Sequence, residues 1–129
     1  MDKRVVVCAR LRDRRLLIVQ RDPLIRAALG RYFRRLLGTV SVAANEAEAE
    51  IVFADPDRSP TDLICGQDFG EGCPLGTTLV ARWRARHATL RRVVLATGVL
   101  ALPEQLPGVD AVVRKPAAVG DLVTQLLAA

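Results

Sequence analysis

Short apolar runs alternate with longer amphipathic segments along most of this chain. The apolar runs are rich in Val, Leu and Ile and lie at 16–20, 40–43, 63–66, 93–96 and 111–113. Runs of this length and composition predict buried strands, and the segments between them repeat apolar residues at the spacings of helices. Strands that alternate with helices indicate an α/β domain with a parallel sheet and helices on both faces.

Helix start signals precede two of the amphipathic segments. Asp22 is followed by Pro23, and Asn45 is followed three residues later by Glu48. Asp and Asn side chains accept hydrogen bonds from first-turn amides, and Pro at the first position gives up no needed N–H. The first helix should then bury one apolar stripe, formed by Ile25, Ala28, Leu29, Tyr32, Phe33 and Leu36. By contrast, residues 98–108 contain two prolines and have room for only a shortened helix.

Composition narrows the classes of function. The chain has 129 residues, half of them apolar and 4% aromatic, which fits one domain with an aliphatic core. No apolar run approaches the roughly 18 residues of a membrane span, and the start lacks a signal-peptide pattern, so we expect a cytoplasmic protein. Cys8, Cys65, Cys73 and the single His87 lack the spacing of a zinc site. No nucleophile–base set or phosphate loop is visible, so an enzyme is not expected.

Positive charge is distributed unevenly along the sequence. The net charge is +5, and residues 1–15 hold six Lys/Arg against two acids, whereas the other residues hold 13 against 12. We expect 1–15 to form a basic arm or an extra strand, and 16–129 to form the domain. Seven further arginines fall near the same predicted side of the sheet and suggest a basic face for nucleic acid or an acidic protein. They are Arg34, Arg35, Arg82, Arg84, Arg86, Arg91 and Arg92.

Three stretches together resemble the receiver domains of two-component response regulators. They are Leu-Leu-Ile-Val-Gln-Arg-Asp-Pro at 16–23, Val-Val-Leu-Ala-Thr-Gly at 93–98 and Ala-Val-Val-Arg-Lys-Pro at 111–116. The resemblance spans roughly 16–127. It implies a flavodoxin-like (βα)5 fold with a five-stranded parallel sheet in the order 2-1-3-4-5, and a site beyond the carboxyl ends of the strands.

In the receiver family, an Asp after the third strand accepts a phosphoryl group and an acid pair after the first strand holds Mg²⁺. A Thr or Ser ends the fourth strand and a Lys ends the fifth. By position, Thr97 and Lys115 correspond to the Thr and the Lys. The acid pair, however, corresponds to Gln20 and Arg21, which offer one neutral oxygen and only N–H donors. Mg²⁺ demands hard oxygen ligands, so the resemblance implies no metal cofactor here.

The phosphoacceptor position has two readings. Counting forward from Asp62 places it at Gln67, and counting back from Gly76 places it at Asp68. A one-residue insertion reconciles the two counts, and we slightly favour Gln67. We expect the Arg21 side chain to take the region of the metal and to pair with Asp68 or Glu71. The family's aromatic switch residue of the fifth strand corresponds to Val112.

These departures favour a degenerate receiver that acts as a phosphorylation-independent protein interaction module in bacterial signalling. Its partner would be a signalling protein, with a homodimer as a further option. One alternative is an atypical receiver that is phosphorylated on Asp68. Another is a nucleic-acid-associated domain that binds through the basic arm and face.

Overall fold

Five parallel strands form a single sheet in the order β2-β1-β3-β4-β5. The computed structural model describes residues 13–98, 102, 106–114 and 119–127. The strands are β1 (Arg15–Val19), β2 (Thr39–Ala43), β3 (Asp62–Cys65), β4 (Arg92–Thr97) and β5 (Ala111–Arg114). The helices in these ranges are α1 (Pro23–Arg34), α2 (Glu46–Ala54), α3 (Gly76–Arg86) and α4 (Val119–Leu127). This arrangement confirms the predicted flavodoxin-like fold and strand order.

The core has two halves because successive side chains of each strand point to opposite faces of the sheet. Leu17 and Val19 of β1 pack with the buried residues of α2 and α3, including Trp83. Leu16 and Ile18 pack with α1 and α4 on the other face. The central strands β1, β3 and β4 are therefore covered on both sides, as their continuous apolar sequences predict.

The predicted helix starts are confirmed. The Asp22 carboxylate accepts from the backbone N–H groups of Leu24 and Ile25, and Pro23 is the first residue of α1. Asn45 accepts from the N–H of Glu48, whose own carboxylate accepts from Ala44 rather than from the N-cap residue itself. Both helices thus begin where their capping residues place them.

The apolar stripe predicted for α1 is only half buried. Leu29, Gly30 and Phe33 face the core, whereas Ile25, Ala28 and Tyr32 are exposed. Leu24 is also exposed, so α1 carries apolar residues on two faces. The spacing identified a helix correctly, but it did not separate the face that meets the sheet from the face that meets water.

The described part of the N-terminal segment is tied to the fold. Arg14 donates to the buried carboxylate of Asp62 and to the carbonyl oxygen of Leu126 in α4. Burial raises the pKa of Asp62, and the Thr61 hydroxyl and Arg14 oppose that rise. Arg15 already belongs to β1, so ordered structure includes the last two residues of the predicted basic arm. Residues 1–12, with the predicted extra strand at 5–8, lie outside the described residues.

Two further expectations concern the rest of the chain. Most of 98–108 lies outside the described residues, and the shortened helix predicted there falls in that part. Among the residues that the structure describes, no helix is both long enough and apolar enough to span a membrane.

Candidate functional site

A cleft of about 380 Å³ lies beyond the carboxyl ends of β1 and β3. This is the edge of the sheet where open α/β folds bind their ligands. Its lining combines the loop after β1, the start of α1 and the loop after β3: Gln20, Arg21, Asp22, Pro23, Ile25 and Asp68. Of the predicted pocket residues, the structure therefore brings Gln20, Arg21 and Asp68 together.

Gln20 is held in place by its own neighbours. Its side chain is buried, and its carboxamide oxygen accepts from the backbone N–H of Arg21 at 3.1 Å. The Arg26 guanidinium donates to the carbonyl oxygens of both Gln20 and Arg21, at 2.9 and 3.1 Å. The side-chain oxygen of Gln20 therefore already accepts a hydrogen bond within its own loop. Arg26, five residues after Arg21, is a supporting residue that the sequence analysis missed.

Arg21 places a positive charge in the cleft. Its guanidinium Nη1 lies 3.8 Å from Oδ1 of Asp68, which confirms one of the two predicted pairings. A Cβ added at Gly70 would lie 3.4 Å from the same guanidinium, so Arg21 extends over the loop after β3. Both side chains of the pair remain largely exposed, and such a pair contributes only about 0–1 kcal/mol.

Gln67 points away from the cleft and toward α3. Its carboxamide oxygen accepts from the N–H of Thr77 at 2.8 Å, and its backbone oxygen accepts from the N–H of Gly76. The side chain is buried and caps the start of α3, whose preceding residue makes no side-chain cap. Asp68 instead lies exposed at the cleft, where its carboxylate accepts from the N–H of Gly70.

The residues at the cleft do not fit a divalent cation. The side-chain oxygen of Gln20 is neutral and already bonded, and the Asp22 carboxylate accepts from the first amides of α1. A guanidinium lies beside the exposed carboxylate of Asp68. Within the described ranges, no three His, Cys, Asp or Glu side chains are grouped so that they could hold a metal ion. Mg²⁺ sites in proteins supply carboxylate oxygens and keep cations away from the ion.

The other two predicted pocket residues are Thr97 and Lys115, and the structure describes only Thr97. Thr97 is buried at the end of β4, and β4 pairs there with β5 so that Thr97 is in register with Arg114. Lys115 lies outside the described residues. Val112, at the position of the family's aromatic switch residue, is a half-buried residue of β5. The strand positions predicted for Thr97 and Val112 are thus as expected.

The predicted basic face is partly neutralised by acids from distant segments. Arg82 pairs with Glu46, Arg84 with Asp110, and Arg86 lies 4.0 Å from Glu50. The acidic partners lie on α2 and immediately before β5. Asp110 and Glu50 do not belong to any recognised motif, so the sequence did not predict their pairing with Arg84 and Arg86.

The remaining arginines of that set have separate environments. Arg92 donates to the carbonyl oxygen of Gln125 in α4, and the carbonyl oxygen of Arg91 accepts from Arg84. Arg34 and Arg35 are exposed at the end of α1. Three of the seven arginines therefore have an acid beside them.

Solved structures with the same fold are known. No protein-family model matches this sequence, and no curated protein sequence matches it. The signal receiver domain of an HD domain-containing protein from Pseudomonas fluorescens Pf-5 aligns with a TM-score of 0.74 and 21% identity, over 86% of this chain and 89% of that one. A CheY-like response regulator receiver domain protein from Methanospirillum hungatei JF-1 aligns at 0.74 and 20%, over 86% and 88%.

A third similar structure is that of a whole response regulator protein. It is a response regulator protein from Burkholderia pseudomallei with a phosphorylated aspartic acid, a calcium ion and citrate, at 21% identity and a TM-score of 0.72. The alignment covers 86% of this chain but only 65% of that protein, so this chain spans less than two thirds of its length. From strand order and from these alignments, this chain has the fold of response regulator receiver domains.

Proposed function

We propose that this chain is a receiver-like domain of bacterial signal transduction that acts as a protein interaction module without aspartyl phosphorylation. The observation that carries the proposal is the Arg21 guanidinium, 3.8 Å from Asp68, which is one of two exposed carboxylates that line the cleft, Asp22 being the other. Arg21 stands at the position that corresponds to the second metal-binding acid of the receiver family. The fold supports the signalling assignment, and the cleft supports the loss of phosphoryl chemistry.

The physical argument concerns charge. A carboxylate that attacks a phosphoryl group needs its own charge and the transferred charge neutralised together, which a divalent cation achieves by binding oxygens of both. Arg21 neutralises Asp68 but offers only N–H donors, and the Gln20 oxygen is bonded to the Arg21 amide. We therefore propose that the domain uses no Mg²⁺ and no other cofactor.

Labelling with a small phosphodonor tests this proposal. The full chain is incubated with radiolabelled acetyl phosphate and Mg²⁺, and a phosphorylatable receiver domain is treated in parallel as a positive control. We expect label on the control and none on this chain. Label on this chain that depends on Mg²⁺, survives acid and is removed by hydroxylamine, as an aspartyl phosphate is, would contradict the proposal.

A specific observation favours one second candidate, an atypical receiver that is phosphorylated on Asp68. Asp68 is an exposed carboxylate that lines the cleft, whereas Gln67 is turned into α3. This candidate predicts that label appears on the wild-type chain and is lost in Asp68→Asn. Label that persists in Asp68→Asn would exclude Asp68 as the acceptor.

The nucleic-acid alternative has weaker support. Arg82, Arg84 and Arg86 each have an acidic neighbour, which reduces the field that attracts phosphates. The low aromatic content also offers few surfaces for base stacking. We therefore propose a protein as the partner.

A further inference from the structure

The outer edge of β2 carries backbone groups that point away from the sheet. β2 is the first strand in the sheet order, so it pairs with β1 along one edge only. The carbonyl oxygen of Ala43 accepts from the N–H of Gln20, on the β1 side. In a parallel ladder every second residue bonds toward the same neighbour, so the N–H and C=O groups of Val40 and Val42 point to the open edge.

These four backbone groups have no hydrogen-bond partner among the residues that the structure describes. The next N–H in the row is that of Ala44, and the Glu48 carboxylate accepts from it at 2.8 Å, so the open row ends there. Val40 and Val42 are themselves half-buried. Backbone polar groups in a partly covered position are stabilised when they are bonded. An extended chain laid along this edge would bond all four.

The sequence of β2 leaves this edge unprotected. Edge strands commonly carry Lys, Pro or a bulge, which prevent pairing with another chain. β2 reads Thr-Val-Ser-Val-Ala, with neither a charged residue nor Pro, and its register with β1 is unbroken. Its β-branched residues also favour extended pairing. The edge can therefore act as a template for one more strand.

Arg34 adds a positive charge beside the same edge. The side chains of Val40 and Val42 lie on the α1 face of the sheet. A Cβ added at Gly30 in α1 would lie 3.1 Å from Cγ1 of Val42 and 3.6 Å from Nη1 of Arg34. The exposed Arg34 guanidinium therefore lies near Val42, and no described carboxylate pairs with it. An added strand would place every second side chain on this face.

We propose that the outer edge of β2 binds an extended segment of a partner protein as a sixth strand, with Asp or Glu at a position beside Arg34. Val40 and Val42 supply the backbone hydrogen bonds that hold the segment. Arg34 supplies the preference for an acidic segment. This inference rests on the proposed function, because it names the surface and the kind of partner that the interaction module uses.

Two other occupants fit less well. A second copy that pairs antiparallel through its own β2 would bring a second Arg34 to the same face of the joined sheet, where the like charges would repel. The strand predicted at 5–8 in the basic arm is flanked by Arg4 and Arg10, which Arg34 would also repel. The charges therefore favour an acidic segment of another protein.

Peptide selection followed by amide hydrogen exchange tests the pairing. A displayed library of linear eight-residue peptides is selected against the immobilised full chain. We expect β-branched residues at alternate positions with at least one Asp or Glu. A synthetic copy should slow exchange at Val40 and Val42 about tenfold or more, because their N–H groups become bonded, and leave Ser41, which bonds toward β1, little changed. A selection that enriches no such peptide, or unchanged exchange at Val40 and Val42, would overturn the proposal.

Modified peptides test whether the bound segment is a strand. A strand bonds to its neighbour through one edge, which carries every second N–H group. Two copies of the peptide are therefore N-methylated, one at its odd and one at its even positions. Only one of the two copies should lose affinity, by about tenfold or more. Equal affinities of the two copies would overturn the proposal.

Matched variants of the chain test the charge. Arg34→Glu should weaken the acidic peptide and strengthen a copy with Lys in place of its acids, and the exposed position should leave the fold intact. Arg86→Glu makes the same change at the end of α3, which packs on the opposite face of the sheet, and should leave both affinities unchanged. Enrichment of basic peptides, or equal effects of the two substitutions, would overturn the proposal.

The other occupants have their own readouts. Slow exchange at Val40 and Val42 in the free chain that Val6→Pro releases would overturn the proposal in favour of the basic arm. Slow exchange that accompanies a dimer in sedimentation would overturn it in favour of a second copy. None of these measurements involves phosphorylation, so their failure is distinguishable from failure of the proposed function, which the labelling experiment reports.

Discussion

At the scale of single residues, Arg21 decides the character of the cleft. Its position directly after β1 puts a guanidinium beside Asp68, in a region where the receiver family places an acid that binds metal. The guanidinium repels a divalent cation and gives the exposed carboxylate a partner at the same time.

Gly76 is fixed by the close approach of two backbones. A Cβ at this position would overlap the carbonyl oxygen of Gly66, the residue after β3. Gly76→Ala should lower the free energy of unfolding by about 1–3 kcal/mol or more, because the start of α3 must move away from the sheet. Urea unfolding followed by circular dichroism measures this change.

The matched control is Gly120→Ala in α4. A Cβ there meets nothing within 4 Å, and Ala has the higher helix propensity. It should leave the stability unchanged or raise it slightly. Equal losses in both variants would contradict the proposed clash at Gly76.

Asp110 links stability to pH. Burial alone would raise its pKa, but hydrogen bonds from the Arg84 side chain and the Val93 N–H hold the pKa of Asp110 below its ordinary value. Because the folded pKa is depressed, this contribution to stability is present above the ordinary value and is lost as the pH falls through the folded one. We expect Asp110→Asn to show a shallower loss of stability on acidification than the wild-type chain.

The measurement is the free energy of unfolding in urea from neutral pH down to about pH 3. Glu71→Gln is a suitable control, since Glu71 is exposed and has no ion pair among those identified. An acid dependence of Asp110→Asn that is as steep as that of the wild-type chain would contradict the role of this contact.

Several residue-level features were predictable from the sequence, and others were not. Gln20 and Arg21 were predicted as residues of the cleft because they stand where the first apolar run ends, and that run predicted a strand. Opposite charges at the same sheet edge predicted that Arg21 pairs with Asp68 or Glu71, and the structure shows Asp68. The turn of Gln67 into α3 was not predictable, because it depends on the path of the loop after β3.

At the scale of elements, α1 shows how far periodicity reaches. Its apolar residues at spacings of three and four correctly predicted a helix, yet Leu29 is 6% exposed and Leu24 is 81% exposed. The difference depends on which side of the helix faces the sheet, and that side carries Leu29, Gly30 and Phe33. The sequence reports which residues are apolar, whereas packing decides which of them are covered.

A pair of substitutions within α1 tests this division. Leu29→Ala should lower the free energy of unfolding by about 2–5 kcal/mol, since it leaves a cavity between α1 and the sheet. Leu24→Ala removes the same atoms from a solvent-exposed position and should change stability by no more than about 0.5 kcal/mol. Thermal or urea unfolding measures the loss of stability in each variant. Similar losses in Leu29→Ala and Leu24→Ala would contradict the solvent exposure of Leu24.

Contacts between helices also account for the ion pairs of the arginines on α3. Arg82 and Arg86 of α3 face Glu46 and Glu50 of α2, so these charges join neighbouring helices. Trp83, between the two arginines, donates from its indole N–H to Glu50. The prediction of one basic face did not include the acidic partner of Arg82, because Glu46 is 36 residues away in sequence.

At the scale of the whole molecule, strand order was the most predictable feature. Five apolar strands alternating with helices, together with the family resemblance, led to the observed order β2-β1-β3-β4-β5. The order sets the sheet edge at which the carboxyl ends of β1 and β3 meet, and hence where the cleft forms. The fold is thus shared with receiver domains, and Gln20, Arg21 and Asp68 line that edge in this chain.

The most direct test of the account is an amide NMR spectrum of the full chain, titrated first with Mg²⁺ and then with beryllofluoride, a mimic of aspartyl phosphate. An equal ionic strength of NaCl serves as the reference. The account predicts no change beyond that reference at Gln20, Arg21, Asp68 and Thr97. Saturable shifts clustered at those residues would show that the cleft still binds a metal and a phosphoryl group, and would contradict phosphorylation-independent function.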